Sequence, residues 1–300
     1  MSPAPDVTAV LRPGFRLDLG RTLAPLAHGR GDPTIRLGPG EAWRASRTPE
    51  GPATLRVALA DDRLELAAWG AGAGWAVASA GALTGLDDDP DRLQPRHRLI
   101  DELARRFAGL RLPRSGLPFE ALLPAICEQK VTGDEARRAY RAIVRRYGEP
   151  APGPAGLWLA PEPEVLADLR YFAFHPLGLE RRRAEVVIRA AGLAPRLTGL
   201  DPSEARSRLA AVPGIGPWTL AEVARVAWGD PDAISVGDYH LPNLVAWALA
   251  GERRADDARM LELLEPYRGQ RGRVQRLLEV SGISAPRYGP RLSSRRIAAI

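Results

Sequence analysis

The stretch richest in chemistry runs from Leu209 to Leu249, LAAVPGIGPWTLAEVARVAWGDPDAISVGDYHLPNLVAWAL. Near its start, Val212-Pro213-Gly214-Ile215-Gly216 ends one helical pattern with a proline and flanks a single apolar residue with glycines. Proline cannot continue the first helix, glycine permits positive φ and bares the backbone, and Ile215 can tuck between helices. A second helix then opens near Pro217, because proline suits the first helical position. Backbone N–H groups at such a turn point outward and can seat a phosphate oxygen regardless of base sequence. Pro213, Gly214, Ile215, Gly216 and Thr219 are therefore expected to grip a nucleic-acid backbone. A dinucleotide fingerprint would need glycine where Thr219 stands and a strand ahead of it, so it is rejected. A plain helical hairpin with glycine for tight packing is the alternative.

Asp238 follows Gly216 by 22 residues, in Ser235-Val236-Gly237-Asp238-Tyr239-His240. Hairpin and aspartate together resemble the helix-hairpin-helix DNA glycosylase superfamily, most closely the bacterial 3-methyladenine DNA glycosylase II family. Ile126-Cys127-Glu128-Gln129-Lys130-Val131-Thr132 is similar to the family's loop that wedges into DNA. Leu177-Gly178-Leu179-Glu180-Arg181-Arg182-Arg183-Ala184 is similar to its leucine-glycine-basic-alanine segment ahead of the hairpin. The likeness runs from about residue 85 to 280. It implies a monofunctional DNA glycosylase that flips a damaged base, an alkylated purine such as 3-methyladenine, out of duplex DNA. Hypoxanthine or another lesion, and a non-catalytic DNA-binding protein, are the alternatives.

Cleaving an N-glycosidic bond leaves positive charge on C1′ and the ring oxygen, which a nearby carboxylate stabilises while orienting water. The resemblance assigns that role to Asp238; the plainer role is a helix cap. Pro242 lies four residues on, so a regular helix starting at Asp238 would lack its first internal hydrogen bond. Either the helix begins near Pro242 or its first turn is distorted.

Bifunctional relatives carry a lysine nucleophile two residues after the second hairpin glycine, where this chain has Trp218. An indole cannot form a Schiff base, so hydrolysis without strand cleavage is expected. Trp218 resembles the pocket tryptophan of the alkylation-repair branch, whose face attracts a cationic base; a core tryptophan is the alternative. Tyr239, Tyr171, Phe172 and Phe174 are further candidates for pocket walls. Where the family has an aromatic residue four positions after that tryptophan, this chain has Glu222, which puts the substrate range in doubt. N3- or N7-alkylated purines already carry charge and need no general acid, and the sequence shows no carboxyl–histidine pair arranged as one.

Flipping leaves a hole that a side chain must fill. By resemblance Lys130 stands at the wedge, and it is the only lysine of the chain. Its stem could fill the gap while its ammonium meets an acceptor, or it is an incidental surface cation. Gln129, Val131 and Thr132 flank it as expected DNA contacts, Gln129 against the orphaned partner base. Arg271 and Arg273 lie in Pro266-Tyr267-Arg268-Gly269-Gln270-Arg271-Gly272-Arg273-Val274-Gln275-Arg276, where phosphate contact or closure over the helices both fit.

These residues need a scaffold. From about 15 to 80 the chain alternates, as in Leu55–Leu59 and Leu64–Trp69 around a turn at Ala60-Asp61-Asp62-Arg63, which predicts a small antiparallel sheet with a helix across it. Asp87-Asp88-Asp89-Pro90 marks a boundary. Beyond Leu99 the period becomes helical, with helices expected at 181–191, 202–211, 218–228, 242–249 and 255–264. The fold class is thus α+β: a β-rich domain over 1–90, a helical domain over 91–285 and a basic tail over 286–300, with a disordered end after Gly282.

With 300 residues the chain can bury a substantial core, and its net charge of +6 comes with crowded arginines at 137–146 and from 268 onward. Clustered guanidinium groups suit phosphate; a solvated arginine-biased surface is the alternative. Cys127 is the single cysteine and the four histidines are scattered, so neither a disulfide framework, a thiolate cluster nor a metal or other cofactor is expected. No apolar run reaches membrane length, and MSPAPDVTAVLRPGF lacks the features of a secretory signal. A cytoplasmic protein with no membrane partner is expected, and the resemblance implies a monomer acting on damaged duplex DNA.

Overall fold

The computed structural model describes residues 3–197 and 199–286. Strands β1 (Val7–Leu11), β2 (Ile35–Gly38), β3 (Glu41–Thr48), β4 (Gly51–Ala60) and β5 (Arg63–Trp69) form an antiparallel sheet in the order β1-β5-β4-β3-β2. Ala60 pairs with Arg63, so Asp61 and Asp62 make the tight turn expected there. Asp61 takes φ +54, a left-handed conformation that aspartate tolerates. The sheet is larger than the alternation predicted. β1 lies ahead of residue 15 and pairs along β5, from Val7 opposite Ala68 to Leu11 opposite Leu64.

Helices α1 (Leu19–Leu23), α2 (Ala73–Ala78) and α3 (Ala80–Leu83) join this layer. Leu23, Leu55, Val57, Leu64, Leu66 and Ala76 are buried in one core with it, the inward-facing residues of β4 and β5 alternating as a half-buried strand requires. The rest is helical: α4 (Arg98–Arg106), α5 (Pro118–Glu128), α6 (Gly133–Tyr147), α7 (Pro163–Ala167), α8 (Arg181–Leu193), α9 (Pro202–Ala210), α10 (Pro217–Ala227), α11 (Leu241–Ala250), α12 (Asp257–Leu264) and α13 (Arg271–Ser281). A two-residue pair of strands, β6 (Glu149–Pro150) and β7 (Trp158–Leu159), interrupts it after α6.

The helical stretch holds two cores. Leu122, Ile126, Ile143, Val187 and Val223 centre the first, built from α5 through α10. Ile100 and Leu103 of α4 meet Val245, Met260, Leu264, Val274 and Leu278 in the second, so the chain returns to α4 after passing through α10. Fully burying a Leu or Ile side chain stabilises by roughly 1.5–3 kcal/mol, so each core is a large term in holding the loops between helices. Those loops, at 129–132, 213–216 and 235–240, carry the residues of interest.

The arginine-rich stretch from 266 to 276 runs into α13, which begins at Arg271. The basic tail over 286–300 lies, except for Pro286, outside the described residues, as does most of the end expected after Gly282. Among the described residues no helix is long and apolar enough to cross a membrane.

Candidate active site and nucleic-acid interface

The hairpin between α9 and α10 follows from its residues. Gly214 sits at φ +97, and a Cβ there would lie 2.3 Å from Val186 Cγ2 on α8, so only glycine fits. Ile215 is buried, and its N–H donates to the Val212 carbonyl (3.0 Å). Gly216 is the extended N-cap of α10, with open space where a side chain would be. Pro217 begins the helix, and the Leu220 N–H donates to the Gly216 carbonyl (3.0 Å). The earlier N–H groups of such a helix have no partner within it and face out of its end. From α8, the Arg189 guanidinium donates to the Pro213 carbonyl (3.0 and 3.3 Å).

The turn between α5 and α6 is fastened to this hairpin. The Gln129 amide donates to the Gly214 carbonyl (3.0 Å) and to Thr219 Oγ1 (2.8 Å). Thr132 caps α6: its Oγ1 accepts from the Glu135 N–H, and the Glu135 carboxylate accepts from the Thr132 N–H (3.0 Å). Beneath the turn the buried Arg183 guanidinium donates to the Cys127 carbonyl (2.5 Å), tying the end of α5 to α8. Lys130 stands at the tip, exposed, at φ +55. A non-glycine residue in that conformation costs about 1–3 kcal/mol, which the surrounding fastenings impose. Cys127 itself is buried, its thiol pushed up to about 12 by loss of solvation, which makes it inert as a nucleophile.

Asp238 lies in the loop leading to α11. Ser235 is buried, its N–H donating to Gln275 Oε1 (3.2 Å), and the Gly237 N–H donates to the Asp257 carboxylate (3.0 and 3.1 Å). Asp238 Oδ1 accepts the N–H groups of His240 (2.7 Å) and Leu241 (2.9 Å), and Oδ2 accepts the indole N–H of Trp218 (3.2 Å). The conflict over Pro242 resolves accordingly: α11 begins at Leu241, with Pro242 in its first turn and the Asp238 carboxylate taking two orphan donors. The half-buried carboxylate is thus a cap, and it also meets the half-buried Trp218 ring.

Several residues expected in these roles are placed elsewhere. Ile215 and Thr219 are buried between helices, and the Gln129 amide is committed to the hairpin rather than left for a base. Arg273 is 4% exposed and pairs with Asp88 beneath α13, a position no phosphate reaches. Arg271 binds Asp232 through both its main-chain and its guanidinium N–H groups. Of the two readings the arginine-rich stretch allowed, the packing follows closure over the helices: Arg273 is turned inward and Arg271 is half-buried. Phe174 is fully buried in the bundle core, so it is no pocket wall. Phe172 is 63% exposed and packs edge-on against Tyr171, itself beneath Arg181. Tyr239 is 78% exposed beside His240, next to Asp238. Pro213 is exposed and Val131 half-buried.

Glu222 lies one helical turn beyond Trp218 on α10, so the two share a face. Its carboxylate accepts from Ser235 Oγ and from Arg225 (3.1 Å), while burial pushes its carboxyl above the usual range. It also lines a cleft between sheet and bundle, together with His28, Thr34, Arg44, Glu128 and Tyr140. There His28 Nδ1 comes within 3.5 Å of Glu128 Oε1, a carboxyl–histidine pair made by residues 100 positions apart. No periodicity or motif links them in the sequence.

No family model matches the chain. Among curated proteins it is 30% identical over 149 residues to a thymine-DNA glycosylase of Aeropyrum pernix, a match covering 49% of this chain and 62% of that one. To the DNA-3-methyladenine glycosylase 2 of Escherichia coli it is 30% identical over 174 residues, 56% of this chain and 60% of that one. The match therefore spans less than two thirds of either relative. The fold aligns with the 3-methyladenine DNA-glycosylase from Archaeoglobus fulgidus at a TM-score of 0.74 and 19% identity, over 90% of this chain and 97% of that one.

Proposed function

We propose that the chain is a member of the helix-hairpin-helix glycosylase superfamily and a monofunctional DNA N-glycosylase of base excision repair, a reading supported by its partial likeness to DNA glycosylases. It flips a damaged base out of duplex DNA and releases it by hydrolysis, with alkylated purines such as 3-methyladenine as substrates. It acts in the cytoplasm as a monomer, without a cofactor. The observation that carries this reading is the bond from the Trp218 indole to the Asp238 carboxylate at the mouth of α11.

In this reading the bare hairpin at Gly214–Gly216 holds phosphate oxygens through outward N–H groups. Lys130, presented by its left-handed turn, enters the duplex where the base leaves, while Gln129 keeps that turn in register with the hairpin. The everted base stacks on Trp218, whose face favours a cationic ring. The sugar then lies against Asp238, whose charge stabilises the oxocarbenium-like state and directs water to C1′. Trp218 offers no amine, so no Schiff base forms and the strand stays intact.

The test is to incubate the protein with methylated duplex DNA and identify what is released. Free 3-methyladenine, an unbroken strand and no borohydride-trapped adduct are expected; no free base would refute the glycosylase, and a trapped adduct the hydrolytic route. A second reading, release of mispaired thymine, is favoured by the likeness to a thymine-DNA glycosylase. The same assay on a G·T duplex decides it.

A further inference from the structure

We propose that His28, held by Glu128, is a proton donor to the departing base, and that the site therefore releases neutral purines as well as those already charged. The inference rests on Asp238 and Trp218 forming the glycosylase site. Glu222, one helical turn beyond Trp218 on α10, also lines the cleft in which His28 lies, so the cleft adjoins the face of α10 on which the proposed base platform stands. An alkylated cationic purine leaves unaided; a neutral one must gain a proton before its ring can accept the bonding pair, and this cleft has the group to supply it.

The geometry is that of an oriented imidazole. The His28 side chain is 19% exposed, its ring set edge-on against Tyr140 with centroids 5.1 Å apart. Its main-chain N–H is anchored on Asp32 Oδ2 (2.8 Å), so the loop that carries it is fixed. Glu128 Oε1 faces Nδ1 at 3.5 Å, while Nε2 makes no hydrogen bond among the described residues and is the ring nitrogen left to meet a base. Distances of this size at acid–base pairs shorten when substrate closes the site. The charged and titratable groups around the ring are Glu128 and Glu120 of α5, Tyr140 of α6, Arg44 of β3, Glu222 of α10 and Asp32 in its own loop, with Arg137 packed on the neighbouring Gly29. Arg44 is neutralised by Glu120 (2.8 Å), and Glu222 is engaged by Arg225, which leaves Glu128 to hold the imidazole.

The step balances as follows. The C1′–N9 bond breaks and its electron pair passes into the purine, one of whose ring nitrogens takes the proton from His28 Nε2. Water bonds to C1′ and loses a proton to Asp238 and thence to solvent. His28 regains its proton from solvent.

Two duplexes differing only in the central lesion test this, one with neutral hypoxanthine and one with cationic 7-methylguanine, each in single-turnover release by the full chain. His28→Asn is expected to slow hypoxanthine release by about 10²–10⁴-fold while 7-methylguanine release stays within about threefold of wild type. Glu128→Gln is expected to lower hypoxanthine release selectively and by less, since it misorients the ring without removing it. The 7-methylguanine rate reports folding of each variant. Equal losses on both lesions, no loss on either, or a wild type that releases 7-methylguanine but not hypoxanthine would overturn the proton-donor role alone. A wild type that releases neither base would instead overturn the glycosylase reading on which it rests.

Discussion

Replacing Gly214 with alanine should break the hairpin for two reasons that can be measured apart. At φ +97 an L residue is strained by about 1–3 kcal/mol. The added methyl would also sit 2.3 Å from Val186 Cγ2 and 3.5 Å from Val186 Cβ. Val186 is 1% exposed and β-branched on a helix, so it cannot rotate away, and overpacking of this kind costs about 1–3 kcal/mol. Together Gly214→Ala should lose about 2–6 kcal/mol, seen as a lower urea midpoint at unchanged slope. Val186→Ala removes the clashing methyl but leaves a void, costing on the order of 1–3 kcal/mol alone. The double variant should be less destabilised than the sum of the singles by about 1–3 kcal/mol, the clash term; the remaining deficit of Gly214→Ala is the backbone strain. DNA affinity should fall in Gly214→Ala and recover only in part in the double variant. Additive stabilities, or a Gly214→Ala protein as stable as wild type, would refute both the fit of α8 against the hairpin and the reason glycine is needed there.

Two further perturbations separate structure from binding. Arg273→Met strands Asp88 in the interior and should cost about 3–5 kcal/mol of stability without altering the salt dependence of DNA binding, whereas Lys130→Ala should leave stability intact and reduce the slope of log affinity against log salt by about one; an altered slope for Arg273→Met would return that arginine to the interface. Glu222 has its carboxyl raised by burial, so the folded state holds the proton more tightly than the unfolded one. Its contribution is present below the unfolded value and is lost as pH rises through the folded one. Urea midpoints at acid and neutral pH should therefore show Glu222→Gln gaining on wild type as pH rises; a variant that loses ground would contradict the sign.

Much of the scaffold could be read from residue patterns because local chemistry agrees with the fold. The turn at Asp61-Asp62, the start of α10 at Pro217 and the helices at 181–193 and 202–210 rest on turn residues, proline and period. β1 escaped because a five-residue strand of mixed pattern gains its meaning from β5, more than 50 residues away. The choice between phosphate contact and closure over the helices was left open at Arg273 for a related reason: it and Asp88 lie 185 positions apart, and charge counts cannot show that one neutralises the other. Within the site, the hairpin was visible in its proline and glycines, and Asp238 through the family resemblance. The bond that joins Asp238 to Trp218, the tether from Gln129 and the meeting of His28 with Glu128 are products of packing alone.

The most direct measurement is single-turnover base release from alkylated duplex DNA by Asp238→Asn. Asparagine keeps an oxygen to accept from His240 and Leu241 while losing the bond to the Trp218 indole, so the variant should fold with a deficit of about 1 kcal/mol and still bind DNA. Release should fall by roughly 10²–10³-fold or more, since the charge facing the sugar is gone. A folded, DNA-binding Asp238→Asn protein that releases bases at the wild-type rate would contradict the account.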